Sequence, residues 1–153
     1  MKLEIPAPLQ AEHEELHAAL AAATKLPGAV GTAAREVARL MHPHFVREEE
    51  FALPPLDLLA DVVRGALRSD MAEVLPMTRR LKAELPAMFA EHRRIVDALG
   101  KLIAAAQAAG MPEIERFARS LVRHAQTEEL VMYPAAILLG EHLARVLHEE
   151  PVL

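Results

Sequence analysis

The sequence predicts an all-α protein, and three observations support this prediction. Helix-favouring residues, chiefly Ala, Leu, Glu and Arg, dominate the chain, whereas aromatic residues make up only 3% of it. Apolar-face positions recur every three to four residues, as an amphipathic helix requires, at Leu9, His13, Leu16 and Leu20. The length of 153 residues, with 52% hydrophobic and 25% charged residues, is typical of one globular domain. We therefore expect a single domain spanning residues 1–153.

Proline and glycine signals divide the chain into four main helices. The first is expected to begin near Pro6 to Leu9 and to end at Pro27-Gly28, and the second to end at Pro54-Pro55. Gly110-Met111-Pro112 separates the third helix from the fourth. Because short turns make consecutive helices antiparallel neighbours, these elements predict an up-and-down four-helix bundle.

Three smaller features are expected along the same helices. The segment LDLLADVVRGAL, residues 56–67, predicts a short extra helix between the second and third main helices. Ser69-Asp70 followed by Glu73 resembles a capping box that would begin the third main helix. Three prolines fall inside helical patterns and predict kinks or breaks there, at Pro43, Pro76 and Pro86.

Charge and composition exclude several classes of function. The formal net charge is -5 and there is no block of Lys and Arg, so a nucleic-acid partner is not expected. We find neither a secretory leader pattern nor an apolar run approaching the roughly 20 residues of a membrane span. The chain is therefore expected to be soluble and cytoplasmic, without a membrane partner. The absence of cysteine excludes disulfides and thiolate ligands, so any metal must be held by nitrogen and oxygen.

A repeated motif carries the functional information. The stretch AEHEELHAAL at residues 11–20 returns as AEHRRIVDAL at residues 90–99. Each copy is followed by a second motif, HFVREEEFALP beginning at His44 and HAQTEELVMYP beginning at His124. In both, Glu stands four and five residues after the His, and Pro stands ten residues after it. The chain therefore consists of two like halves.

This spacing predicts a metal site inside the bundle. A step of four residues turns a helix by only about 40°, so His44 with Glu48, and His124 with Glu128, each direct an imidazole and a carboxylate toward one point. The histidines of each half are centred on a predicted turn, so both hairpins hold them at one level. The candidate ligands of this layer are His13, His44, Glu48, His92, His124 and Glu128.

A competing interpretation applies to each residue taken singly. A buried histidine is more often a hydrogen-bonded core residue than a ligand, and a Glu-Glu pair usually faces solvent. The six residues together favour a metal, because two buried carboxylates without compensation are costly unless a cation satisfies them.

The remaining histidines and acidic residues near the motifs receive separate expectations. His17 lies one turn after His13 on the same face, where it could ligate, hydrogen-bond to a ligand, or be a polar residue at the bundle end. For Glu49 and Glu129, a hydrogen bond to a ligand imidazole or solvation is expected rather than ligation. The histidines expected outside the site are His42, next to a proline, and His142 and His148, in a polar tail.

These motifs resemble those of the hemerythrin-like, or HHE cation-binding, domain family over His13 through Pro134. The resemblance implies an up-and-down four-helix bundle with a non-haem di-iron centre that has an oxo or hydroxo bridge. It also implies terminal ligation by the four motif histidines and bridging by Glu48 and Glu128. Imidazole and carboxylate suit iron, manganese or zinc, and iron is our first choice, with two ions expected.

Departures from the family patterns bear on activity. The oxygen-carrying hemerythrins have a His-x-x-x-His pair on the third helix, whereas His92 is followed at that spacing by Val96. The ligand set is more similar to that of the repair-of-iron-centres di-iron proteins, but their cysteine-bearing N-terminal domain is missing. If each half serves one metal with His, His and Glu, any asymmetry between the two metals must come from His17.

Three functions stay open at this point. The first, which we favour, is a di-iron protein that binds or senses dioxygen, nitric oxide or iron without turnover. The second is a di-iron oxidoreductase acting on nitric oxide or peroxide, or in repair of iron-sulfur centres. The third is a structural site for zinc. We expect a small gaseous or peroxide ligand rather than a metabolic substrate, and the sequence names no protein partner.

Overall fold

The computed structural model describes residues 1–148 and is helical throughout its regular elements. The α-helices are α1 (Ala7–Thr24), α2 (Gly28–Arg47), α3 (Leu59–Val63), α4 (Leu75–Ala108), α5 (Pro112–Thr127) and α6 (Tyr133–His148). Helix α1 packs on α2, α2 on α4, α4 on α5, and α5 on α1, which closes a four-helix ring. The predicted all-α fold and bundle are confirmed.

The two hairpins of the bundle turn at glycines in a left-handed conformation. Gly28, between α1 and α2, has φ of +71°, and Gly110, between α4 and α5, has φ of +65°. Such values suit glycine because it lacks the Cβ that clashes in this region. The turns therefore lie where the Pro-Gly and Gly-Met-Pro signals predicted them.

Helices α2 and α5 both pass into one turn of π-helix. The π turns are Glu48–Ala52 and Glu128–Met132, so each begins at the Glu that stands four residues after the motif His. The amide of Leu53 donates to the carbonyl of Glu48 at 2.9 Å, and that of Tyr133 donates to the carbonyl of Glu128. Single π turns inside helices frequently occur at functional sites.

The connection between the hairpins differs from the prediction. The extra helix expected over residues 56–67 is only partly α-helical, since a 3₁₀ turn over Pro54–Leu58 leads into the short α3. A left-handed Gly65, with φ of +74°, follows soon after α3. The expected capping box is wrong, because Ser69–Val74 forms another 3₁₀ turn without a side-chain cap and α4 begins only afterwards.

The prolines inside helical patterns do not break the main helices. Pro76 lies in the first turn of α4, where its missing amide costs no helical hydrogen bond. Pro43 and Pro86 lie inside α2 and α4, and both helices continue through them. His142 and His148, expected in a polar tail, instead lie exposed on α6.

The core consists of apolar clusters on either side of the motif residues. One cluster fills the hairpin end and includes Leu20, Val37, Phe45 and Leu99. Another includes Phe51, Leu53, Leu81, Met88 and Tyr133. In the chain, the motif histidines and glutamates fall between the residues of these two clusters. The polar layer is therefore bounded above and below by close-packed apolar side chains.

One part of the described chain has the length and composition of a membrane span, contrary to the sequence-based expectation. It lies within the helical run Pro112–His148, of which one 18-residue window is apolar enough and one third buried. The same run packs on α4 and carries buried His124 and Glu128. A single helical run identified by length and composition alone is weak evidence for a membrane span.

A close approach of α6 to α4 generates a stability prediction. A Cβ on Gly140 would lie 2.0 Å from Thr78 Oγ1 and 2.5 Å from Thr78 Cβ, an overlap that rotation of the threonine cannot relieve. We therefore expect Gly140→Ala to destabilise the protein by about 1–3 kcal/mol, measured by chemical denaturation.

Gly100 is the matched control for this substitution. It lies inside α4 with nothing within 4 Å of its added Cβ, so Gly100→Ala should stabilise the protein by about 0.5–1 kcal/mol through helix propensity. Equal effects of the two substitutions would contradict the close packing of α6 on α4.

Candidate metal centre

The structure brings the six predicted candidate ligands into one buried layer. Each main bundle helix supplies one histidine, and the first residue of each π turn supplies one glutamate. All six side chains are at least 95% buried. The residues are His13 (α1), His44 (α2), Glu48, His92 (α4), His124 (α5) and Glu128.

The six side chains form two groups of four that share both glutamates. Within each group the potential ligand atoms lie within 4.8 Å of one another. One group contains His13 and His124, and the other contains His44 and His92. The expectation that each hairpin serves its own metal is therefore wrong, because each group takes one histidine from each hairpin.

The carboxylates of Glu48 and Glu128 face both groups with different oxygens. Oε1 of Glu48 lies 2.9 Å from His44 Nε2, and Oε1 of Glu128 lies 3.3 Å from His92 Nε2. Their Oε2 atoms face the other group, at 3.6 Å from His13 Nε2 and 3.4 Å from His124 Nε2. Two carboxylates that each offer one oxygen to either side have the arrangement of bridging ligands.

Unpartnered atoms show that the donors fit a metal. Among the residues that the structure describes, the buried atoms His13 Nε2, His124 Nε2, Glu48 Oε2 and Glu128 Oε2 have no hydrogen-bond partner. Buried polar atoms without partners are rare and costly in folded proteins. All four belong to one group and converge on one point, so a single cation there would satisfy them together. Their chemistry, two imidazole nitrogens and two carboxylate oxygens, suits a transition metal.

A ring of four further glutamates holds the outer nitrogens of the histidines. In each case a glutamate adjacent in sequence to one candidate ligand contacts the Nδ1 of a histidine on a neighbouring helix. The Nδ1 contacts are His13 to Glu49 at 3.4 Å, His44 to Glu91 at 2.7 Å, His92 to Glu129 at 2.9 Å, and His124 to Glu12 at 2.6 Å. A carboxylate on Nδ1 favours the tautomer that leaves Nε2 free to bind a metal.

The glutamate ring contains two predicted and two unpredicted residues. Glu49 and Glu129 make the imidazole contacts expected of them. Glu12 and Glu91 are the glutamates of the repeated Ala-Glu-His motif, and that repetition was a signal for a role that sequence reasoning left unassigned. Arg47 also donates to Glu91, so the His44 contact continues outward to a cation.

Charge in the cluster acts on the imidazoles according to their carboxylate neighbours. Burial lowers the pKa of His13, and the charge of Glu48 offsets this only in part. Burial also opposes the charged forms of His92 and His124, but the neighbouring carboxylates, led by Glu128, outweigh it and raise their pKa values to about 10 and about 9. The pKa of His44 is raised as well, because hydrogen bonds to carboxylates outweigh its burial.

The two buried carboxyls hold protons unequally. Burial, together with the charge of Glu48, raises the pKa of Glu128 to about 7. Burial has the largest single effect on Glu48 too, but hydrogen bonds from Glu128, His44 and His92 together leave its pKa well below the ordinary value. The cluster thus stabilises positive charge at its centre, either as protons or as a cation.

Tyr133 is a residue of the site that the sequence interpretation missed. Its hydroxyl donates to Glu48 Oε1 at 2.5 Å and lies 3.4 Å from His92 Nε2, and its ring stacks on that imidazole. Burial raises the pKa of the phenol far above its ordinary value, so it acts as a neutral donor. In the repeat, the position of Tyr133 is occupied by Leu53 in the first half.

His17 lies outside both groups of candidate ligands. Its ring packs against Phe45 at 4.3 Å between centroids, and Phe45 in turn lies 4.7 Å from the ring of His13. Phe45 therefore contacts both His17 and the candidate ligand His13. The exposed His42 shares a surface groove with His17, and no candidate ligand group includes His142 or His148.

Comparison with protein families gives one match. The family model described as Hemerythrin HHE cation binding domain matches residues 5–136, most of the chain. Comparisons with curated proteins and with solved structures give no match.

Removing one histidine of either group should reduce metal binding. His44→Ala and His124→Ala each delete a donor from a different group, so bound metal per chain should fall to half or less, measured by elemental analysis of purified protein. His142→Ala and His148→Ala remove exposed imidazoles and serve as controls that should keep the metal. Equal losses in both pairs would contradict the assignment, and circular dichroism would show whether the helices persist.

Proposed function

The chain belongs to the hemerythrin HHE cation-binding domain family, and on this premise we propose that it is a non-haem di-iron protein that binds or senses a small ligand. The single observation that carries this proposal is the pair of buried four-donor groups sharing Glu48 and Glu128. Dioxygen, nitric oxide and iron itself are the candidate ligands. We also propose a cytoplasmic location, in keeping with a chain that lacks cysteine.

In this proposal each metal is held by one histidine from each hairpin. His13 and His124 would hold one ion, His44 and His92 would hold the other, and Glu48 and Glu128 would serve both. Iron is preferred, although manganese and zinc suit the same donors, and an oxo or hydroxo bridge would offset further charge. Two irons, when bound, supply open coordination positions and electrons for a small ligand.

The protein orients the imidazoles, keeps water out of the polar layer and supplies one phenol hydroxyl. The glutamate ring holds each imidazole with Nε2 toward the centre, and the apolar clusters exclude water from the layer. Tyr133 reaches only the side of His44 and His92, because Leu53 occupies the matching position of the other half. The two metal positions therefore differ through Tyr133, and not through His17 as the sequence suggested.

Tyr133 also favours a second candidate function, an oxidoreductase acting on nitric oxide or peroxide. A neutral phenol that donates to Glu48 and lies 3.4 Å from His92 Nε2 holds an exchangeable proton beside one metal position. Catalytic consumption of either compound with a reductant would distinguish this activity from binding.

Metal analysis with an optical spectrum tests the proposal directly. Protein purified without added metal should contain close to two irons per chain, matching the two donor groups, and should absorb in the near ultraviolet and visible region. Zinc in place of iron, with no visible absorption, would indicate a structural site instead. Absence of any bound metal would overturn the proposal as a whole.

Exposure of the reduced protein to air and then to vacuum tests for oxygen carriage. Because His17 belongs to neither donor group, the protein should oxidise irreversibly, and His17→Ala should behave in the same way. The measurement is the absorption spectrum before and after evacuation. A reversible absorption change that disappears in His17→Ala would show that His17 ligates and that the chain carries oxygen.

A further inference from the structure

The two halves differ at matched positions beside the metal centre. Phe45 follows His44 in the first half, and Ala125 follows His124 in the second. One turn after the first histidine of each half stand His17 and Val96. Both differences replace a ring in the first hairpin by a small aliphatic side chain in the second.

These rings close the α1–α2 side of the centre. Phe45 is 2% exposed, with its ring 4.7 Å from that of His13 and 4.3 Å from that of His17. A groove of about 250 Å³ lies between α1 and α2, with His17, Met41 and Phe45 in its wall. None of the six candidate ligands lines this groove. Phe45 therefore separates it from the metal layer.

The α4–α5 side reaches a ligand directly. There a groove of about 260 Å³, which we name the α4–α5 groove, is lined by His92, Val96, Ala125 and Glu129, with polar Arg93, Asp97 and Gln126 also in its wall. His92 is a candidate ligand, and Glu129 holds its Nδ1. The small Ala125 stands where a phenyl ring would cover the imidazole.

We propose that the α4–α5 groove is the binding and access site by which small polar molecules of two or three atoms reach the metal pair. They arrive at the position of His44 and His92, where Tyr133 stands. The groove volume of about 260 Å³ is that of roughly nine water molecules at about 30 Å³ each, which is ample for a diatomic or triatomic molecule. Arg93 and Gln126 offer hydrogen-bond donors to a small polar molecule, beside the carboxylates of Asp97 and Glu129. The inference rests on the proposed metal centre.

Reciprocal substitutions between the halves test this access route. The probe is azide, a triatomic anion that binds ferric iron and gives a visible absorption band, and the readout is its binding rate to the oxidised protein by stopped flow. Ala125→Phe copies the ring of the first half and should slow binding by about tenfold or more at unchanged iron content. Phe45→Ala opens the first half and should not slow it.

Two milder substitutions keep the test decisive if Ala125→Phe fails to fold. Val96→Leu adds one methylene at a half-buried position, and Ala125→Val adds only two methyl groups, so each should slow azide less than Ala125→Phe. Native rates in all variants that hold iron, or slowing in Phe45→Ala alone, would overturn the proposed route. A native protein without bound metal would instead overturn the proposed function.

Discussion

Two carboxylates lie buried at the centre of the bundle, and the surrounding structure compensates their charge. Glu48 and Glu128 are at most 1% exposed, and burying such groups unpaired would be costly for a protein of this size. Four imidazoles surround them, and the resulting hydrogen bonds draw protons onto the cluster. Four outer glutamates then hold the imidazoles in place. The imidazoles therefore compensate the charge of the two carboxylates, and the outer glutamates hydrogen-bond to the imidazoles.

The same arrangement joins the two hairpins. Each donor group combines histidines from both halves, and the glutamate ring links α1 to α2, α2 to α4, α4 to α5 and α5 back to α1. A hairpin alone would bury half of a donor group with no partner for it. Binding a metal that only the folded chain can hold therefore adds to the free energy of unfolding of the whole bundle. Recognition of a cation and closure of the fold depend on the same residues.

Sequence reasoning could predict the fold and the six central residues because both follow from spacing within a helix or across a short turn. The His-x-x-x-Glu step and the positions of Gly28 and Gly110 are of this kind. The pairing of His13 with His124 depends on which helices become neighbours across the bundle, and equal heights within the hairpins do not decide this. The roles of Glu12 and Glu91 were also left unassigned, although the repeated Ala-Glu-His motif was a signal for them. The extent of α3 was overpredicted because its amphipathic pattern continues past the point where the chain turns near Gly65.

The π turns determine which side chains can share the centre. In a regular α-helix, residues five apart point about 140° away from each other, so a side chain at that spacing from Glu128 would face a different part of the bundle. The wider turn of Glu128–Met132 resets the helical phase and lets both Glu128 and Tyr133 contribute to one polar layer. The first half makes the same adjustment over Glu48–Ala52, but there Leu53 follows it. Both halves thus have the π turn that would direct a side chain into the polar layer. Only the second half has a phenol there, because Tyr133 stands where the first half has Leu53.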